Sequence, residues 1–254
     1  RLLPQMADTA ELVAYARTVP GLTAAVLVPN LFGAELAIKA GAHKISIPFS
    51  VSETHSKKNV NRTHEQMFDE VGQIAERLAQ VETAERPHFE ASLSTAFGCT
   101  IEGAIDEDFV ARCAERLVAC GVDEVGLSDT TGYGNPSQVK RLIKIVREAV
   151  GTERLTGIHL HNTRGLGLAN ALAAIQEGIT TIDSSLGGIG GCPFAPGASG
   201  NIVTEDLAFM LAAMGLRTGI DLGKMVEVRK ILRNALPDEP LYGFLPEAGL
   251  PKGF

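Results

Sequence analysis

Short apolar runs alternate with longer amphipathic segments along this chain of 254 residues. The runs that favour strands are Ala24–Val28, Lys44–Phe49, His88–Ser92, Glu124–Leu127, Leu155–Leu160 and Thr180–Ser184. The segments with helical spacing of apolar residues are Gly33–Ala40, Thr63–Val81, Asp106–Cys120, Pro136–Val150 and Gly167–Glu177. Because strands and helices alternate, the sequence predicts parallel βαβ units and an α/β fold.

Polar residues follow the predicted strands at the points where the strands end. They are Asn30, Ser50–Ser52, Ser94–Thr95, Asp129–Thr130, His159–His161 and Ser184–Ser185. A doubly wound sheet would gather such residues at one switch point, whereas the strand ends of a (β/α)8 barrel all meet at one mouth. We therefore predict a single TIM-barrel domain over residues 1–254, with Thr204–Met214 and Leu222–Leu236 as C-terminal helices.

Six predicted strand–helix units are two fewer than a complete barrel contains. The chain begins at Arg1 within RLLPQMAD rather than at a methionine. We expect the first one or two strands of the barrel to lie upstream of this sequence.

Composition limits the classes of partner. The net charge of −7 argues against nucleic acid as the main ligand, and 45% hydrophobic residues allow a sizeable core. The sequence contains neither a signal peptide nor an apolar run of about 18 residues, so we expect no membrane association. The four cysteines form no paired framework and are typical of free thiols in a reducing compartment, which favours the cytoplasm.

His159 and His161 are two residues apart at the end of an apolar run. In a strand such residues point to the same side, so both imidazoles face one space and can bind one divalent metal ion. The alternative is one surface histidine and one buried histidine held by hydrogen bonds.

A glycine-rich segment, Gly187–Asn201, follows some 30 residues later and carries a thiol and an amide. Its glycines allow the backbone to approach a ligand closely, although a plain flexible connector is the alternative. Cys192 is a candidate acid, base or nucleophile, and Asn201 is a candidate oxygen ligand. Glu205 and Asp206 follow at a predicted helix start, where we expect Asp206 to act as a cap.

Two further segments have both a functional and a structural interpretation. Asp129 in GLSDTTGYGNP could orient a ligand or accept a substrate hydroxyl, or it could form an Asx turn. The basic segment Ser56–Arg62 could bind phosphate through Lys57 and Lys58, or it could be a solvated loop.

The sequence that contains these residues resembles the 3-hydroxy-3-methylglutaryl-CoA (HMG-CoA) lyase family of the DRE-TIM metallolyases. The motifs that carry the resemblance are PQMAD, SETHSKKNVNRT, STAFGCTIEG, SDTTGYGNP, the HxH strand and GGIGGCPFAPGASGNIVTED. The resemblance implies a metal-dependent retro-Claisen cleavage of HMG-CoA to acetyl-CoA and acetoacetate, in the setting of leucine degradation. It also implies Mg²⁺ or Mn²⁺ as cofactor, an acyl-CoA substrate and a homodimer or homotetramer.

The resemblance assigns roles to individual residues. The implied metal ligands are His159, His161 and Asn201, and the implied catalytic residues are Cys192, His159, Asp129 and Glu205. Lys57, Lys58 and Asn59 match a segment near the acyl-CoA. In the implied mechanism His159 or an upstream aspartate accepts the hydroxyl proton, and Cys192 donates a proton to the acetyl-CoA enolate.

The sequence departs from the family pattern in two places. The family carries an Arg-Asp pair and a glutamate on its first two strands, and we expect these residues upstream of Arg1. Where the family has HxHDTYG, this chain has Asn162 and Arg164, which change polarity and charge beside the metal ligands. These changes leave open a lyase for another 3-hydroxyacyl-CoA; a related synthase or aldolase and a non-catalytic binding protein are more distant alternatives.

Overall fold

The computed structural model describes residues 6–191 and 200–254. Its strands are β1 (Ala25–Leu27), β2 (Lys44–Ser50), β3 (His88–Ser94), β4 (Glu124–Asp129), β5 (Gly157–Leu160) and β6 (Thr181–Asp183). Its helices are α1 (Thr9–Ala16), α2 (Leu31–Ala40), α3 (Glu53–Asn59), α4 (His64–Leu78), α5 (Glu107–Ala119), α6 (Pro136–Val150), α7 (Gly167–Gln176), α8 (Thr204–Ala213), α9 (Leu222–Ala235) and α10 (Leu245–Ala248). Short 3-10 turns follow α6 and β6.

The strands form one parallel sheet in the order β1-β2-β3-β4-β5-β6. Each strand therefore pairs with the next strand of the chain, which is the order of a βα barrel and not of a doubly wound sheet. The predicted barrel fold is confirmed, and the described residues contain six of the eight strands of a complete barrel. All six carboxyl ends lie at the same edge, because the pairs are parallel.

Helix caps fix where the connecting helices begin. Thr63 and Gln66 form a capping box at the start of α4, with each side chain bonded to the backbone of the other residue. Asn135 caps α6 ahead of its first-turn proline, as the sequence predicts. Asp106 caps α5 with its side chain, which accepts the Asp108 N–H.

The main hydrophobic core lies between the sheet and its helices. The largest side chains with essentially no exposure include Phe49, Phe89, Met67, Leu127 and Leu142. Every predicted strand and helix is present, and no end differs from its prediction by more than three residues. Among the described residues no helix is long and apolar enough to cross a membrane.

Charged side chains meet on the face of the sheet that also carries His159, nearer to the amino ends of the strands. Lys44 Nζ lies 2.7 Å from Glu90 and 3.2 Å from Glu124. Thr156 and His88 also bond to the Glu124 carboxylate. This cluster ties three neighbouring strands together below the site.

Candidate active site

Two imidazoles converge at the carboxyl end of β5. The Nε2 atoms of His159 and His161 are 3.0 Å apart. His161 is 6% exposed, and within the described chain its Nδ1 atom has no hydrogen-bond partner. Burial, followed by the charge of His159, lowers the pKa of His161 to about 4. His161 is therefore neutral near pH 7, which is the form that binds divalent metals.

Asp183 orients the first of these rings. It pairs with His159 in the register of β5 and β6, and its Oδ2 lies 3.2 Å from His159 Nδ1. A carboxylate in this position holds the proton on Nδ1, which leaves the Nε2 lone pair facing the site. No sequence motif pointed to Asp183, although it is the penultimate residue of the predicted strand Thr180–Ser184, which follows the histidine strand.

Asn201 lies directly beside the histidines. It forms an antiparallel bridge with His161, and the next backbone N–H, that of Asn162, donates to the Gly200 carbonyl over 3.0 Å. Asn201 Nδ2 donates to the carbonyls of Ile189 (2.9 Å) and Gly190 (3.3 Å). Its Oδ1 is buried and has no partner among residues 6–191 and 200–254.

These three side chains fit a divalent cation. Two nitrogens 3.0 Å apart have the spacing of neighbouring ligands in an octahedral site with bonds of about 2.0–2.1 Å. The unpartnered Asn201 oxygen offers the neutral carbonyl donor that such cations accept. The described residues contain no cluster of three or more His, Cys, Asp or Glu side chains that could hold a metal. The candidate donors are thus two imidazoles and one amide.

Asp129 ends β4 and faces the loop that follows it. It is 1% exposed, and its two carboxylate oxygens accept backbone N–H groups of Tyr133 (2.9 Å) and Gly134 (3.0 Å). Burial raises the pKa of Asp129 to about 6 against the opposing effect of these hydrogen bonds. This is the turn-forming arrangement that the sequence left open, and the catalytic role of Asp129 stays a prediction.

Arg164 fastens two loops at the edge of the site. Its Nη1 donates to the carbonyls of Thr131 (3.0 Å) and Gly132 (3.1 Å). Its guanidinium lies 4.5 Å from the ring centroid of Tyr133, within cation–π range. The positive charge of Arg164 is therefore held against the loop after β4.

Two carboxylates at the beginning of α8 anchor other segments. Glu205 is fully buried, accepts the Gly187 N–H at 3.1 and 3.2 Å, and pairs with Arg229 at 2.5 Å. Asp206 accepts the backbone N–H groups that begin α10, including that of Phe244 at 2.9 Å. The expectation that Asp206 caps its own helix is wrong, because the carboxylate points to this later helix instead.

The remaining predicted site residues are in two places. Lys57, Lys58 and Asn59 lie exposed on α3, which follows β2 at the same edge of the sheet as the histidines. The expected loop over Ser56–Arg62 is thus helical as far as Asn59. Cys192 lies outside the described residues.

A model of the HMGL-like family matches residues 3–232. The chain belongs to the HMGL-like family. It is 40% identical over 234 residues to the mitochondrial hydroxymethylglutaryl-CoA lyase of Macaca fascicularis. The matched region covers 92% of this chain and 70% of that protein. It is also 40% identical over 236 residues to the cytoplasmic 3-hydroxy-3-methylglutaryl-CoA lyase of Rattus norvegicus, covering 93% of this chain and 67% of that protein.

Solved structures of the HMGL-like family share the same fold. An HMG-CoA lyase from Acinetobacter baumannii, in complex with coenzyme A and 3-methylmalate, superposes with a TM-score of 0.89 at 38% identity. That match covers 99% of this chain and 80% of the other chain. The family resemblance that the loop and strand motifs predict is thereby confirmed.

Proposed function

We propose that this protein cleaves HMG-CoA to acetyl-CoA and acetoacetate. The convergent imidazoles of His159 and His161 carry the proposal, because they lie at the carboxyl edge of a βα-barrel sheet in a chain of the HMGL-like family. In this reaction the C3 hydroxyl loses its proton and the C2–C3 bond breaks. C3 becomes the ketone carbon of acetoacetate, and the electron pair left on C2 takes up a proton to give acetyl-CoA.

His159, His161 and Asn201 would hold a divalent cation, for which we propose Mg²⁺ or Mn²⁺. When bound, such an ion supplies Lewis-acid polarisation of the substrate hydroxyl and of the ketone oxygen that forms from it. The neutral state of His161 and the unpartnered Oδ1 of Asn201 support this assignment.

His159 has two nitrogens with different tasks. Its Nδ1 faces Asp183, so its Nε2 is the atom that faces the site. The family resemblance implies either His159 or an upstream aspartate as the base for the hydroxyl proton. A His159 that ligates a metal through Nε2 has no second lone pair, and this favours the aspartate as the base.

Cys192 is the proposed donor of the proton to C2. The described residues Gly190 and Gly200, which precede and follow Cys192 in the sequence, both contact residues of the site. The Gly190 carbonyl accepts from Asn201, and the Gly200 carbonyl accepts from Asn162. These contacts on both sides of Cys192 support its assignment as the proton donor.

The acyl-CoA is proposed to extend across the exposed face of α3. Lys57 is paired with Glu53 at 2.7 Å. Within the described residues, Lys58 takes part in no ion pair, so its ammonium is the more available charge for a phosphate group. Asn59 follows on the same helix and offers an amide to the same ligand.

Cellular setting and assembly belong to the same proposal. The free thiols of Cys99, Cys113 and Cys120 are consistent with a reducing compartment, and we propose the cytoplasm. We propose leucine breakdown as the pathway. We also propose that the protein assembles as a homodimer or homotetramer, and light scattering in solution tests the assembly.

A product assay tests the proposed reaction. The full-length protein is incubated with HMG-CoA and Mg²⁺ or Mn²⁺, and acetyl-CoA and acetoacetate are quantified by mass spectrometry. We expect equal amounts of the two products. Cleavage of another 3-hydroxyacyl-CoA, supplied in parallel, with no cleavage of HMG-CoA would contradict the proposed substrate.

A further inference from the structure

We infer that Arg229 is a positioning residue for this active site. It acts through Glu205 on the turn around Gly187, and through that turn it sets the place of Asn201 beside the histidines. The inference rests on the proposed function for its kinetic consequence, whereas its structural consequence is independent of the substrate.

The first contact is a buried ion pair between two helices. Arg229 on α9 is 3% exposed and Glu205 on α8 is fully buried. Nη1 of Arg229 lies 2.5 Å from Glu205 Oε1. The second task of the same carboxylate is to accept the N–H of Gly187 with both oxygens, at 3.2 and 3.1 Å. The cation therefore fixes the carboxylate that holds the turn.

The second set of contacts leads from the turn to the site. Gly187 has a φ of +67° and its carbonyl accepts the Tyr242 N–H over 2.8 Å. Two and three residues later, the carbonyls of Ile189 and Gly190 accept the Asn201 amide. A displacement of the turn would thus move the two acceptors that orient Asn201.

The energetics of Arg229 favour a positioning role over a purely stabilising one. Its Nε and Nη2 atoms are buried and have no hydrogen-bond partner in the part of the chain that the structure describes. Desolvation of such a cation is unfavourable, and well-packed apolar residues often replace buried ion pairs without loss of stability. Arg229 is also closely packed against the turn, since a Cβ on Gly187 would lie 2.9 Å from Leu241 and 3.4 Å from Arg229 Nη1.

Hydrogen exchange and kinetics on Arg229→Met test the inference. We expect backbone amides of residues 186–190 to exchange at least about tenfold faster, while those of α4 keep their wild-type rates. We expect kcat to fall at least about tenfold with KM within about threefold, because Arg229 orients a ligand residue and does not contact the substrate. Arg233→Met is the matched control, since Arg233 is exposed one turn later on α9.

The inference would be overturned if a folded Arg229→Met variant had the same amide exchange rates at residues 186–190 as the wild type, or the same kcat. If that variant does not fold, Arg229→Gln takes its place with the same two outcomes, because the shorter, uncharged glutamine removes the cation that fixes Glu205 but leaves a polar side chain. Absence of HMG-CoA turnover by the wild-type protein would overturn the proposed function instead. The exchange comparison would then still decide the role of Arg229.

Discussion

At the scale of single residues, the Asp183 carboxylate decides which nitrogen of His159 faces the site. The 3.2 Å contact at Nδ1 leaves Nε2 directed at its counterpart on His161. Carboxylates behind histidine ligands raise ligand basicity and fix ring orientation. The function of the pair therefore depends on a residue of the neighbouring strand.

Asp183→Asn should weaken metal binding. Removal of this charge typically lowers metal affinity by about 10–100-fold at such positions. Titration calorimetry with Mn²⁺ measures the change, with Asp221→Asn as a control because Asp221 caps α9 on the protein surface. Equal affinity for the wild type and Asp183→Asn would remove Asp183 from the site.

Cys192→Ala should lower kcat by about two orders of magnitude or more, in line with the contribution of a positioned general acid. The reason is that the C2 carbanion would lose its proton donor while HMG-CoA binding remains. Steady-state kinetics provide the measurement, and Cys120→Ala is the control because Cys120 lies at the end of α5. Turnover near the wild-type rate would exclude Cys192 as the acid.

Strand periodicity predicts that His159 and His161 face one space, and the family resemblance adds Asn201 as a third ligand beside them. The sequence could not predict Asp183 as a partner, since that contact depends on the register between β5 and β6. The same holds for Arg229, which is 24 residues from Glu205 and meets it only after α8 and α9 have packed.

At the scale of elements, caps and apolar stripes make the helices predictable. The capping box of Thr63 and Gln66 begins α4, whose buried stripe includes Met67, Val71 and Ile74. The helix α3 escaped prediction because its seven residues are mostly polar and carry no apolar stripe. Its start depends on Ser52, which accepts the His55 N–H.

Thr63→Ala should lower the free energy of unfolding by about 1 kcal/mol, because one N-terminal amide of α4 loses its acceptor. Urea denaturation measures the difference. Thr18→Ala is the control, since Thr18 is exposed and its hydroxyl donates to the carbonyl of Tyr15 in the preceding turn. A stability equal to that of the wild type would show that water replaces the cap without loss.

At the scale of the whole molecule, the parallel sheet brings polar side chains from distant parts of the sequence to one face. The histidines lie toward the carboxyl ends of the strands, and the cluster of Lys44, Glu90 and Glu124 lies toward the amino ends. Burial raises the pKa of Glu90, and Lys44 opposes this rise. Alternation of strands and helices predicts this architecture, but not which charges meet within it.

Lys44→Met should destabilise the fold by about 3 kcal/mol, because it leaves two mostly buried carboxylates without their cation. A carboxyl whose folded pKa is raised binds its proton more tightly in the folded state, so its contribution to stability falls as the pH rises. The deficit should therefore be larger at pH 8 than at pH 5. Urea denaturation at pH 5 and pH 8 measures the loss of stability caused by Lys44→Met, and Lys39→Met, at an exposed lysine, is the control. A loss of stability that is the same at both pH values would contradict the prediction.

The metal dependence of HMG-CoA cleavage shows whether the paired histidines form a catalytic metal site. The full-length wild-type protein and His161→Ala are stripped with EDTA, and acetoacetate is followed before and after addition of Mg²⁺ or Mn²⁺. We predict that the wild type forms acetoacetate only with the cation, and that His161→Ala forms at most a small fraction of that amount. Cleavage by the stripped wild type, or undiminished cleavage by His161→Ala, would contradict a metal site built on the paired histidines.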